Sequence, residues 1–166
     1  MTMQNDLDNY ATLGGGNEPC IAPGLHGVVI SGEGATRTLL ASESGATILM
    51  DRAAGQVYTL PTPVVGMKFR FCSTVTVTSN AYKVITQTPA SEFIIGSIVS
   101  ANATVAASGD IFTANGTSHV AISENGTTTG GVIGDDFTLE AISTTQWLIT
   151  GRNSGSGTNA TPFATS

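Results

Sequence analysis

Residues 44–71 read SGATILMDRAAGQVYTLPTPVVGMKFRF, and this stretch decides the expected fold. Residues 47–51 and 57–60 are two extended, alternating segments separated by a glycine-containing turn. Pro61 and Pro63 then end the second segment, because proline has no N–H to donate to a sheet ladder. In residues 67–71, three apolar side chains alternate with Lys and Arg, which is the period of a strand with one buried face. The stretch therefore predicts three strands and the framework of a β-sheet.

Short extended segments continue on both sides of this stretch, with turn signals every eight to twelve residues. Asn115-Gly116 is a strong hairpin signal and predicts that residues 110–114 pair with residues 118–123. Residues 92–100 are apolar on both faces, which favours a covered strand. No 20–50-residue repeat stands out, which speaks against a solenoid. The other expected strands are residues 25–31, 36–41, 73–79, 82–86, 136–142 and 146–150, and the last two form a closing hairpin.

The chain of 166 residues suits one domain with a little left over. We expect an all-β, single-domain β-sandwich or jelly roll of about ten short strands, spanning residues 25–151. Residues 1–24 form an expected extended arm, because they hold three consecutive glycines and no periodicity. Residues 152–166 form an expected C-terminal tail. The arm is either a disordered tail or a segment that orders against a neighbouring subunit. The candidate contact residues of the two ends are Tyr10, Leu13, Ile21, Pro162 and Phe163.

The charge pattern limits the classes of partner. Only 11% of the residues are charged, against about 25% in average domains. The net charge is −6 and the six basic residues are scattered, so we expect no nucleic-acid partner. No apolar run is long enough to span a bilayer, and no secretory signal is visible, so we expect no membrane partner. A surface rich in hydroxyls and amides fits a protein that is largely covered by partners, or one that is built for harsh surroundings.

Few side chains suggest chemistry. His26 and His119 have no second ligand at zinc spacing, and no G-x-S-x-G motif is present. Asp135-Asp136, with Asp110, could hold calcium, but adjacent carboxylates in a turn are more often solvated. We therefore expect no enzyme activity, no metal and no cofactor.

The remaining distinctive residues have structural interpretations. Trp147 lies in an alternating segment and is expected in the core rather than in a sugar-stacking site. Cys72 continues a strand and is expected to be buried, and a bridge to Cys20 is an open alternative. Four Asn-x-Thr sequences match the glycosylation pattern by composition alone, without a secretory signal to support their use.

An ordered set of motifs resembles the head decoration (cement) proteins of tailed bacteriophages, which are encoded beside the major capsid protein. The resemblance covers about residues 39–163 and is carried by the set rather than by any single motif. The matching segments are ESGATILMD (43–51), VYTLPTPVVGMKFRF (57–71), TSNAYKVIT (78–86), NGTTTGGVIG (125–134), ISTTQWLITG (142–151) and GSGTNATPF (155–163).

This resemblance implies a structural virion protein without an active site. Such a protein would bind the major capsid protein on the outer surface of the capsid, after assembly in the host cytoplasm. It would act as a homo-oligomer, with a trimer favoured, and would bridge capsomers. Related segments also occur in phage fibres, so the alternative is a tail-fibre or spike module that binds host glycan. A small hydrolase would need a convergent acid/base group, which the sequence does not offer.

Overall fold

A computed structural model describes residues 27–105 and 108–166 of the chain. Twelve strands form two facing sheets, and the described residues contain one short 3-10 turn, Ala41–Glu43, but no α-helix. The all-β prediction is confirmed. The strands are β1 (Val29–Ile30), β2 (Thr36–Thr38), β3 (Thr47–Met50), β4 (Gln56–Thr59), β5 (Lys68–Ser73), β6 (Tyr82–Ile85), β7 (Phe93–Asn102), β8 (Gly109–Asn115), β9 (Ala121–Glu124), β10 (Asp136–Ala141), β11 (Gln146–Gly155) and β12 (Phe163–Ala164).

The two sheets differ in size and both are mixed. The large sheet has the order β1-β3-β5-β10-β11-β7-β8, and the small sheet has the order β12-β9-β6-β4-β2. Five of the pairings are parallel: β1–β3, β3–β5, β2–β4, β4–β6 and β7–β11. A jelly roll is built from antiparallel Greek keys, so the architecture is a sandwich with mixed sheets and not the jelly-roll alternative.

The first six strands wind as a coil. Odd-numbered strands enter the large sheet and even-numbered strands enter the small sheet, so every second strand pairs in parallel. The three strands expected in residues 44–71 are therefore all present, but β4 lies in the sheet opposite β3 and β5. The chain coils between the two sheets in this half, although it carries no sequence repeat. Pro61 and Pro63 lie in the connection after β4, as their missing N–H groups require.

The closing hairpin has an unexpected position. β10 and β11 pair antiparallel, with Ala141 opposite Trp147, which confirms the hairpin expected from the sequence. This hairpin lies in the middle of the large sheet, where β10 pairs with β5 and β11 pairs with β7. It therefore joins the coil to the β7–β8 pair.

Two local predictions are wrong. Asn115-Gly116 does not close a hairpin, since β8 pairs with β7 in the large sheet whereas β9 lies in the small sheet. Glycine at position 116 has a positive φ of 73°, which suits a hairpin and a sheet-to-sheet crossing equally. Residues 74–79 form a loop instead of a strand, and the Val77 N–H donates to the Gly131 carbonyl of another loop.

The expected boundary at residues 151/152 also differs from the structure. β11 continues to Gly155, and β12 adds to the small sheet beside β9. Most of the expected tail is thus held by backbone hydrogen bonds of the β domain. The expected arm, residues 1–24, lies outside the described residues.

The apolar core fills the space between the sheets. Phe71 stacks on Phe137 with a centroid separation of 5.1 Å and meets Tyr58 of the small sheet edge-on at 5.9 Å. Trp147 is fully buried and lies 6.0 Å from Phe69, as expected for a core residue. Burying such rings removes the largest apolar areas from water and dominates the stability of the sandwich.

Candidate functional site

The candidate contact residues from the sequence are placed as follows. Tyr10, Leu13 and Ile21 lie outside the described residues. Pro162 and Phe163 are buried, and Phe163 packs into the core of its own chain. Neither of these two side chains is therefore free to make the expected contact with a shell or a neighbouring subunit.

The candidate chemical residues do not form a site. His26 lies outside the described residues, and His119 accepts a hydrogen bond at Nδ1 from the Asn115 N–H and packs against Phe163. Within residues 27–105 and 108–166, no three His, Cys, Asp or Glu side chains are close enough to share a metal ion. Asp135 is buried, so the expectation that both adjacent carboxylates are solvated is wrong for this residue.

Other sequence signals also have structural roles. Asn102, Asn115 and Asn125 each accept hydrogen bonds from backbone N–H groups two or three residues onward, so their side chains stabilise turns. Cys72 is half-buried, and burial raises the pKa of its thiol. Cys20 lies outside the described residues. No helix of the described part is long and apolar enough to cross a bilayer.

The outer face of the large sheet has a charged half on β5, β10 and β11. Asp136 lies between two arginines, 3.0 Å from Arg70 and 3.1 Å from Arg152, and Lys68 lies 3.5 Å from Glu140. The hydrogen bond from Arg70 is the main cause that lowers the pKa of the Asp136 carboxyl. The three cations and two anions of these exposed pairs nearly cancel, and each pair contributes little to stability.

The other half of this face, on β7 and β8, carries no charged side chain that points outward. Register places Val99 beside Ile111, and Ser97 beside Thr113, on the outer side. Ile111 is 70% exposed and Val99 is 53% exposed. Val99 also lines an open groove of about 360 Å³, together with Ile133 and Arg152. We call Ser97, Val99, Ile111, Thr113 and Ile133 the uncharged patch.

Strand β8 is also the edge of the large sheet. The Gly116 N–H donates to Ile94 and the Asn102 N–H donates to Ser108, so the even-numbered residues of β8 bond to β7. In an antiparallel ladder the alternate residues point their backbone groups outward. The N–H and C=O groups of Ile111 and Thr113 therefore face away from β7. Such an edge can accept another strand.

The space between the sheets is polar at one end. Ser73, Ser100, Asp135 and Asn153 face inward from the large sheet and its preceding turn, and Gln56, Tyr82 and Glu124 face inward from the small sheet. All seven side chains are buried, and the register places Gln56 beside Tyr82 and Tyr82 beside Glu124. We call these seven residues the polar end. We call Phe69, Ile94, Leu139, Trp147 and Ile149, at the other end of the large sheet's inner face, the apolar end.

Glu124 and Asn153 connect the two sheets within the polar end. Asn153 Nδ2 donates to Glu124 Oε1 and to the Thr129 carbonyl, both at 3.0 Å. Glu124 is 1% exposed, and burial raises the pKa of its carboxyl to about 8, with a further increase from the nearby Asp135 carboxylate. Glu124 Oε2 and Asn153 Oδ1 are buried and have no hydrogen-bond partner in the structure.

Asp135 and two loops close the polar end. Asp135 Oδ2 accepts hydrogen bonds from the N–H groups of Gly131 and Val132, at 2.9 and 3.0 Å. Burial nevertheless raises the pKa of this carboxyl. Gly126 has a φ of 79°, and a Cβ there would lie 1.8 Å from the Val77 carbonyl oxygen, so only glycine fits where the two loops meet.

Together the described contacts define two features: a surface without an outward-pointing charge on β7 and β8, and a buried cluster of carboxyls, amides and hydroxyls between the sheets. Sequence reasoning missed both features. Residues 97–101 and 111–113 have no polar–apolar alternation that marks an outer face, and which strands share an edge depends on pairings between distant residues.

Comparisons with known proteins add no relative. No family model, no curated protein and no solved structure matches this chain.

Proposed function

We propose that this chain is a structural virion protein that binds the outside of a bacteriophage capsid and stabilises it as a decoration protein. The observation that carries the proposal is the uncharged patch beside β8, which is the edge strand of the large sheet among the described residues. Two exposed β-branched residues, Val99 and Ile111, lie side by side on a surface that is otherwise hydroxyl-rich. The ordered motifs that resemble decoration proteins support the same conclusion.

The division of the outer face suits a lattice contact. The charged side chains of β5, β10 and β11 form ion pairs with one another. This half of the face therefore exerts little net electrostatic force on a neighbouring protein. The uncharged patch can be covered without removing an unpaired charge from water, which would be costly. A modest interface of this kind becomes firm when an oligomer repeats it over a symmetric shell.

Co-sedimentation with capsids assembled from the neighbouring major capsid protein tests the proposal. We expect saturable binding at a fixed ratio to capsid subunits. The variant Ile111→Lys should lower the affinity at least tenfold, because an ammonium in the covered patch loses its hydration. Thr38→Lys adds the same charge to an exposed residue of the small sheet and serves as the matched control.

Failure of the wild-type protein to bind the capsids would overturn the proposal. Equal affinity of Ile111→Lys and wild type would show that the capsid contact lies outside the uncharged patch. Circular dichroism of both variants checks that the sandwich is intact, which the 70% exposure of Ile111 predicts.

The alternative is a fibre or spike module that binds host glycan. It requires exposed aromatic rings that converge on one pit, since sugars stack on ring faces. Of the nine aromatic residues in the described ranges, seven are buried, and Phe93 and Phe112 are half-buried. The described surface thus offers no exposed aromatic platform. Binding to host polysaccharide together with absence from capsids would favour this alternative.

A further inference from the structure

Two buried oxygen atoms of the polar end lack a hydrogen-bond donor, and one additional proton could supply it. Glu124 and Asn153 share a single hydrogen bond, from Asn153 Nδ2 to Glu124 Oε1. The remaining oxygen of each side chain, Glu124 Oε2 and Asn153 Oδ1, is a buried acceptor without a donor. Two buried acceptors that stay without a donor destabilise the folded state, because each has lost its hydrogen bonds to water.

A proton on Glu124 removes this cost. It converts Oε2 from an acceptor to a hydroxyl donor, and Asn153 Oδ1 is the free acceptor of the same pair. The carboxylic acid and the amide then form two reciprocal hydrogen bonds. We propose that protonated Glu124 and Asn153 form a proton-dependent clasp between the two sheets, and that ionisation of Glu124 opens the clasp and loosens the loop of residues 125–134.

Burial favours the neutral acid of Glu124 and outweighs the hydrogen bond from Asn153 Nδ2, which by itself lowers the pKa of this carboxyl. β6 presents Tyr82 opposite Glu124, and the segment after the loop presents the Asp135 carboxyl. β11 presents the neutral Asn153, while its neighbour Arg152 lies on the outer face and pairs with Asp136. No cationic group of the described residues contributes to the Glu124 titration. A buried carboxylate without a cation is strongly disfavoured.

The clasp also holds the loop. The same Asn153 Nδ2 that bonds Glu124 donates to the Thr129 carbonyl, and an added Cβ at Gly131 would lie 3.1 Å from Glu124 Cβ. Ionised Glu124 would draw water toward the sheet junction, and the loop is the element that covers it. The loop should therefore respond to pH more than the apolar end does.

The direction of the effect follows from proton linkage. Between the unfolded pKa of about 4.5 and the folded pKa of about 8, the folded state binds a proton that the unfolded state has released. Stability is therefore greatest below pH 4.5 for this group and is lost as the pH rises to 8. The unfolding equilibrium constant should increase on the order of tenfold per pH unit between pH 6 and pH 7.5.

The test compares wild type with Glu124→Gln and Glu140→Gln in denaturant titrations from pH 5 to pH 9. Glutamine at position 124 keeps the shape and supplies a permanent N–H donor to Asn153 Oδ1. We expect this variant to lose most of the pH dependence. The small dependence that remains should come from Asp135. Glu140→Gln removes an exposed outer-face carboxyl and should retain the wild-type dependence. Equal pH dependence in wild type and Glu124→Gln would overturn the proposal.

Two measurements on the wild-type protein keep the test valid if Glu124→Gln does not fold. Carbon-detected NMR of the glutamate carboxyls should show one group that titrates well above the others; titration of every glutamate below pH 6 contradicts the clasp. Hydrogen exchange, expressed as protection factors, should show the Gly126 and Gly131 amides losing protection between pH 6 and 8 while Ile149 retains it. Uniform loss across the chain would mean that the loop is not the responding element.

Discussion

The two ends of the space between the sheets are stabilised in different ways. At the apolar end, Trp147 and its neighbours exclude water through contacts that have little directional preference and no charge. At the polar end, Glu124, Asn153 and Asp135 depend on individual hydrogen bonds and on a protonation state. One end of the sandwich should thus be indifferent to pH, whereas the other should respond to it. The comparison teaches that one β domain can combine an end whose stability does not depend on pH with an end whose stability does.

Trp147→Ala, at the apolar end, should cause the largest loss of stability. Loss of the ring leaves a cavity beside Phe69 and should lower the free energy of unfolding by about 3–5 kcal/mol. Urea denaturation at pH 6 and pH 8 measures the free energy of unfolding, and the loss should be the same at both pH values. Trp147→Phe is the control, because it keeps most of the volume and removes an indole N–H that has no partner. A loss that differs between the two pH values would contradict the description of this end.

Asn153→Ala, at the polar end, should cause the second-largest loss of stability. It leaves Glu124 and the Thr129 carbonyl without their shared donor, which should cost about 2–3 kcal/mol in the free energy of unfolding. Thr150→Ala, on the exposed outer side of the same strand, is the control and should change stability by less than about 0.5 kcal/mol. Equal losses for the two variants would mean that the polar end does not depend on directional bonds.

Asp136→Asn should have the smallest effect, because it lies on the solvent side of the sheet. Its pairs with Arg70 and Arg152 are exposed and screened, so the loss should be within about 1 kcal/mol and should shrink in high salt. The lowered pKa of Asp136 means that its contribution is present above pH 3.8 and is lost as the pH falls below that value. Denaturation at pH 3 and pH 7 checks both points. A larger loss at pH 3 would contradict the pairing.

Local pattern was sufficient to predict most of the strands and several residues of the core. The alternation in residues 67–71 correctly placed Phe69 and Phe71 inward, and the same reasoning correctly placed Trp147. These predictions succeed because the burial of alternate side chains is a property of the strand itself.

Pairing between strands was not predictable in the same way. The turns at residues 53–55 and 115–116 need a glycine with positive φ whether the next strand returns to the same sheet or crosses to the other. The burial of Asp135 was missed because its partners are N–H groups of its own loop, at Gly131 and Val132, which leave no mark in composition. Residues 74–79 alternate like a strand, yet their backbone N–H groups donate to the carbonyls of Met50, Ala53 and Gly131, which lie in distant parts of the chain.

The central position of the β10–β11 hairpin has a consequence for synthesis on the ribosome. Until residues 136–155 have emerged, β5 and β7 are two separate sheet edges with nothing between them. The coil of β1–β6 can form from contacts between successive turns, but Phe93 must wait for Gln146, 53 positions later in the register. Closing such a long loop delays folding, and exposed strand edges invite pairing with other nascent chains. Strands β10 and β11 therefore complete the large sheet only after β7 and β8 have been synthesised, and a chain truncated before β10 would leave the edges of β5 and β7 open.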